Sequence, residues 1–384
     1  MSFPDKPLAH LLGSNGPIHS LAYSASPGTY ILTGSADRTI RLYNPFPSKS
    51  ETVYPAPPSS HITAKSSPPA IPQGRLIQSY SAHGYEVLSL DVAADNERFV
   101  SAGGDRAVFL WDVATATTTR RFGSAAHGHS SRVNCVRFAG ESDSLVLSGG
   151  VDTTVRIWDV KSSNAKPVQV LDDARDAVTC LAVRGPEVLV GSVDGRLRAY
   201  DVRMGRCLVD VFAASVTSLS LARDGRAVLV GSLDSRLRLM DREHGTCLRT
   251  YADPAWRNEE FRVQAVLGGR EKWVVAGDEM TAVGATTGTD TGTGTGQGTG
   301  KRTAQVSDGK VWAWDLLTGE LVAVIRVPWG PPGSEPKKKV LGKDGKEKDR
   351  TNVTSCIAWK EDGWGDQFCV GGTSGVTTVF GASE

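Results

Sequence analysis

His83, Ser101 and Asp105 have the residue types of a base, a nucleophile and an orienting acid, set within one short stretch. His129, Ser148 and Asp152 repeat the set at nearly the same spacing. In an enzyme such a trio passes the hydroxyl proton to the imidazole and attacks a carbonyl carbon. Each trio, however, leads to a tryptophan six positions after its Asp, Trp111 in one and Trp158 in the other. A constellation that occurs twice in one chain, each time tied to an indole, is better explained as a buried hydrogen-bond network. The Asp accepts from the imidazole, the Ser links to it, and the indole N–H completes the chain, so each polar group is satisfied. These eight residues are therefore expected to hold structure, with no catalytic residue and no enzyme activity. Other stretches share the Asp but lack the His, and their turns are expected to rest on the Asp and backbone alone.

The elements that position these residues recur along the chain. Asp105 reaches Asp112 through Trp111, and Asp152 reaches Asp159 through Trp158. Asp37 to Asn44, Asp194 to Asp201, Asp234 to Asp241 and Asp308 to Asp315 keep that count, and Ser374 to Gly381 is a worn seventh copy. From Asp105 the copies follow at 47, 42 and 40 residues, a period that marks one small unit stacked on itself. Each unit reads as four strands. The first starts at an apolar anchor: Ile18, Val87, Val133, Val178, Val216, Val263 or Val353. The second ends in Gly-Ser or Ser-Gly-Gly. In the third, Val155 and Ile157 or Leu237 and Leu239 alternate with the period of two of a strand. The fourth is more polar. The expected fold is an all-β, seven-bladed propeller forming one domain over residues 1–384. The last copy lacks a fourth strand, so residues 6–13 are expected to supply it and close the ring with both chain ends.

Three gaps break the period: Pro/Ser-rich 45–74, Gly/Thr-rich 281–303 and Pro/Lys-rich 328–350. Their composition cannot bury enough apolar area to offset chain entropy, so disorder is expected. The last two should leave one face of the disc and the first the other. Gly292–Lys301 superficially resembles a phosphate loop, but Thr295 and Arg302 stand where that pattern needs Gly and Ser or Thr. No cofactor is expected. The six cysteines occur singly; Cys135 and Cys180 share a repeat slot with Ser20, Ser89, Ser218, Ala265 and Ser355. That reads as packing of small residues, with no metal, in a reducing intracellular setting.

A net charge of +1 argues against nucleic-acid binding through global basicity. Direct RNA contact is expected only through Lys337–Arg350, where seven basic residues meet Asp344, Glu347 and Asp349. The first residues lack the pattern of a secretory signal, and no apolar run approaches the ~20 residues of a bilayer span. No membrane association is expected.

The Gly-Ser-x-Asp…Trp-Asp endings resemble the WD-repeat family. Within it, four stretches resemble the mitogen-activated protein kinase organiser branch. They start at His83-Gly-Tyr-Glu-Val-Leu, Leu171-Asp-Asp-Ala-Arg-Asp-Ala-Val, Gly191-Ser-Val-Asp-Gly-Arg-Leu-Arg and Ser232-Leu-Asp-Ser-Arg-Leu-Arg. The resemblance covers nearly all of the chain outside the three gaps. It implies a non-enzymatic scaffold for kinase-cascade components, splicing factors of the spliceosome, or both, in cytoplasm and nucleus. A monomer working within larger assemblies is expected. The loops before the first strands carry the residue types of a protein interface: Tyr85, Glu86, Arg132, Arg175, Asp176, Trp256 and Arg257. An alternative is a substrate receptor of a cullin–RING ubiquitin ligase, since Tyr200-Asp201-Val202-Arg203 resembles the Trp-Asp-x-Arg element of some WD-repeat proteins.

Overall fold

The computed structural model describes residues 3–46, 71–279, 308–331, 340–341, 347–348, 351–360 and 366–382. They form seven four-stranded antiparallel sheets arranged as the blades of a propeller. Among the described residues there is no α-helix, only a 3-10 turn at Glu141–Asp143. Blade 3 shows the plan: Val133–Ala139, Leu145–Gly150, Val155–Asp159 and Gln169–Leu171, paired in chain order from the inside outwards. Blade 7 departs from it. Its three C-terminal strands, Thr354–Trp359, Gln367–Gly372 and Thr377–Gly381, are completed by Lys6–Leu11, with Lys6 opposite Gly381 and Leu11 opposite Thr377. The ring is closed by both ends of the chain.

Burial explains the repeat. The core is divided into seven clusters, each filling the space between two neighbouring blades. The anchors Ile18, Val87, Val133, Val178 and Val216 are fully enclosed, about 1.5–2 kcal/mol of transfer free energy apiece. Each anchor needs a notch in the preceding blade; a glycine makes it in five blades, and Ala102 and Ala276 stand at that position in blades 2 and 6. A Cβ on Gly149 would stand 2.5 Å from Val178 and 2.8 Å from the Cys135 sulfur. Gly34 faces Val87 and Ser20 in the same way, Gly191 faces Val216 and Cys180, and Gly371 faces Ile18 and Cys356. Each of these glycines and the small slot residue opposite it are thus one device. Phe3 adds a wedge that the repeat does not announce, edge-on to Trp273 at 5.2 Å between blades 6 and 7.

Several expectations need correction. In the seventh copy, Thr354 pairs with Gly372 and Cys356 with Gly371, the register that Val133 and Cys135 hold against Gly150 and Gly149. The anchor there is Thr354, one residue past Val353, and the slot holds Cys356 in place of Ser355. The outer strands are less polar than their sequences suggest: Leu208, Val209, Val211 and Leu248 all face solvent. Residues 281–303 lie outside the described residues, as do most of 45–74 and 328–350, but parts of the first and third gaps are placed. His10 exchanges backbone hydrogen bonds with Pro72 and Gly74, and Val340–Leu341 pairs with Glu347–Lys348.

Candidate functional site

Every blade turns from its second to its third strand on one face, called upper here. In blades 1 to 4 an Asp builds that turn. One oxygen accepts the N–H two residues on, from Thr39, Ala107, Thr154 or Arg196, at 3.1 to 3.3 Å. The intervening residue takes a left-handed conformation, with φ of 70° at Arg38 and 62° at Arg106. The same carboxylate clamps the loop that enters its blade, through N–H groups of Asn15, Gly84, Ser130 and Arg175. The turn acid is therefore a staple for the upper-face loops.

In blades 2 and 3 the staple is tied to the blade core. His83 Nδ1 donates to Asp105 at 2.9 Å, its Nε2 meets the Ser101 hydroxyl at 2.7 Å, and the Trp111 indole donates to that hydroxyl at 2.8 Å. His129, Asp152, Ser148 and Trp158 repeat the chain at 3.0, 2.8 and 2.8 Å. Burial alone would raise the Asp105 carboxyl, but the His83 imidazole and the Gly84 and Ala107 N–H groups hold it below its usual range. Asp152 lies lower still against the same burial, through His129, Ser130 and Thr154. Ser101 and Ser148 are fully enclosed, so neither hydroxyl can reach a substrate. The arrangement is a support, not a nucleophile.

Blades 1, 4 and 5, which lack the His, are not held by Asp and backbone alone: an arginine four residues after the Asp forks onto it. Arg198 Nη2 meets Asp194 at 2.6 Å while its Nη1 donates to Ser192 at 2.8 Å, and the whole guanidinium is 3% exposed. Arg238 repeats this on Asp234 and Ser232, and Arg41 grips Asp37 at 2.7 and 3.1 Å. In blade 3 the equivalent Arg156 donates to the His127 carbonyl at 2.8 Å and keeps only a long 3.9 Å ion pair with Asp152, whose short side-chain contact is with the imidazole. The spacing of these arginines was visible in the sequence as a second repeat.

Blade 6 uses a different acid from the one its sequence count suggests. Residues 280–307 lie outside the description, and Asp308 follows them. The staple is Glu279, which ends the second strand's approach and accepts the N–H groups of Glu259, Glu260 and Phe261 at 2.8, 2.9 and 3.2 Å. The Trp312 indole donates to the neighbouring Asp278 at 2.7 Å.

Of the interface candidates, Tyr85 is 60% exposed, and Arg132, Arg175, Asp176 and Arg257 also face solvent. Glu86 is half-buried. Arg257 pairs with Glu259 at 2.9 Å. Trp256 must be withdrawn: it is 1% exposed, edge-on to Trp314, and its indole donates to the Gly277 carbonyl at 2.7 Å. An apolar ring with a satisfied N–H in the interior has nothing left to offer a partner. The exposed aromatic of that segment is Phe261, at 47%. The Asp of Tyr200-Asp201-Val202-Arg203 caps a lower-face turn, accepting from Arg203 and Met204 at 2.9 and 3.0 Å. Asp112, Asp159, Asp241 and Asp315 do the same in their blades, and Tyr200 is buried. The element is an architectural turn that recurs around the ring.

Comparison with known proteins places these features in a group. The profile described as "WD domain, G-beta repeat" matches residues 5–44, 74–112 and 121–159. The chain is 35% identical over 327 residues to human WD repeat domain-containing protein 83, covering 85% of this chain and 84% of that protein. It is 34% identical over 324 residues to the rat protein of the same name, covering 84% and 83%. A Dictyostelium discoideum homolog of that protein is 28% identical over 242 residues, covering 56% of this chain and 65% of its own length.

Proposed function

The chain belongs to the WD-repeat family, and from that premise we propose that it is a non-enzymatic scaffold for a mitogen-activated kinase cascade. One observation carries this reading. The two His–Ser–Asp sets are spent on internal hydrogen bonds with their serines enclosed, while stapled loops hold Tyr85, Arg132 and Arg175 out from one rigid face. Aromatic and Arg side chains on a preorganised surface are the usual anchors of protein interfaces. Relatives alike over more than four fifths of both chains are WD-repeat proteins, and the Gly191–Gly205 stretch resembles the kinase-organiser branch.

The test is affinity purification of the full chain from cytoplasmic and nuclear extracts. Kinases of one cascade should co-purify. A Tyr85→Ala, Arg175→Glu double variant should lose them about fivefold or more while its stability moves by no more than ~0.5 kcal/mol. Recovery of splicing factors in place of kinases would move the scaffold to pre-mRNA splicing. Recovery of neither would end the proposal.

A further inference from the structure

The first strands of the blades surround the central channel, and blades 3 and 6 stand on opposite sides of it. Arg262, just before the Val263 anchor of blade 6, reaches over this gap. Its Nη1 donates to the main-chain carbonyl of Asn134 in blade 3 at 2.8 Å, joining residues 128 positions apart. The charge is felt around the ring. Burial lowers the His19 imidazole of blade 1, Glu86 raises it, and Arg262 lowers it further. Burial raises the thiols of Cys135, Cys180 and Cys356, and Arg262 opposes that rise in each. The guanidinium thus spans the channel from blade 6 to blade 3.

It is also underbonded. The Asn134 contact is its one hydrogen bond among the described residues, and its Nε–H is enclosed without an acceptor. No carboxylate pairs with it among the described residues, unlike Arg41, Arg198 and Arg238. A half-buried cation without a counter-charge is unfavourable, and a guanidinium fork is shaped for a carboxylate. The segment around it presents the exposed ring of Phe261, while Tyr85 projects from the loop entering blade 2. A purely structural cross-brace would explain the Asn134 bond but not the missing counter-charge.

We propose that Arg262 receives an acidic side chain, Asp or Glu, that a protein partner inserts into the channel from the upper face. The proposal rests on the scaffold reading and names the chemistry of its partner. The probe is a fluorescent, C-terminally amidated hexaglutamate peptide, with hexaglutamine as its control, titrated against the full chain at low salt. The glutamate peptide should bind about tenfold tighter than the control or better, and Arg262→Gln should remove that preference. Lys161→Gln, on the lower face, should change binding by less than about twofold. His19→Glu places a carboxylate of the chain's own beside the guanidinium. Glu86 opposes the new charge, so Tm need not rise, but the folded variant should lose peptide binding, which decides the matter even if Arg262→Gln fails to fold. Equal binding of both peptides, or undiminished binding by either variant, would overturn the proposal. Partners still recovered with wild-type chain but indifferent to Arg262→Gln would leave the scaffold standing and remove only the carboxylate.

Discussion

Blades 2 and 3 hold the turn acid with an imidazole, whereas blades 1, 4 and 5 hold it with a guanidinium. The position of the Asp is the same, but the two supports are rooted differently. His83 and His129 arrive from the incoming loop and pass the contact inwards through a buried Ser to the indole at the blade centre. Loop, turn and core become one hydrogen-bonded unit. Arg198 and Arg238 come from the same hairpin as their Asp and bind its own Ser, so the support is local. The imidazole can satisfy a carboxylate without itself carrying charge. The guanidinium cannot, so blade 4 encloses a full ion pair. The lesson is that one sequence position can be secured by long-range wiring or by a short charged brace.

The largest effect expected from this contrast is at blade 4. Asp194→Ala strands the enclosed Arg198 and should cost about 3–5 kcal/mol in urea unfolding, whereas Asp152→Ala leaves His129 its bond to Ser148 and Arg156 its bond to the His127 carbonyl, and should cost about 2–3 kcal/mol. Replacing both partners, Asp194→Asn with Arg198→Met, removes the ion pair but keeps an acceptor for the Arg196 or Arg175 N–H, and should recover part of that loss, to within ~2 kcal/mol of wild type. A larger loss at Asp152 than at Asp194 would break the comparison. Next come the serines. Ser148→Ala removes the shared partner of both His129 and Trp158 and should cost about 2 kcal/mol, while Ser192→Ala leaves the direct Arg198–Asp194 contact and should cost about 1 kcal/mol.

Both supports share one pH dependence. Asp105, Asp152, Asp194, Asp37 and Asp234 all have folded carboxyls below the ordinary value of 3.8. Each therefore lends stability that is complete above that value and is lost as pH falls through the depressed folded one. Stability measured downward from pH 4 should fall, with Asp152→Asn shallower than wild type by up to about 1.4 kcal/mol per pH unit. An unchanged slope would mean that His129 does not hold the carboxylate in its charged form.

The blade count, its order and the closing strand were legible because the anchor, the glycine notch and the turn acid recur together. Each needs the others in space, so their spacing survives in the sequence. The His–Ser–Asp–Trp sets were legible for the same reason, since four polar types at fixed intervals have few buried arrangements. The seventh anchor was misread by one residue because Val353 and Thr354 are both β-branched, and only pairing with Gly372 separates them. Glu279 was hidden because a long insertion separates it from its hairpin, and the eye follows Asp308 instead. Trp256 looked available because it lies outside the repeat slot. A partner for its ring, Trp314, is 58 positions away, and no local pattern reveals such a contact. Arg262 gave no local sign either, as its acceptor lies across the channel.

The pairing of Lys6 with Gly381 has a consequence during biosynthesis. The Lys6–Leu11 strand leaves the ribosome about 370 residues before Thr377–Gly381 and must wait for that strand to find its neighbour. Until then Ile18 faces no Gly371 notch, and the growing arc of blades carries two raw ends. A nascent chain stalled before residue 377 would be a gapped ring with an orphan N-terminal strand, a species for chaperones to shield or proteases to clear.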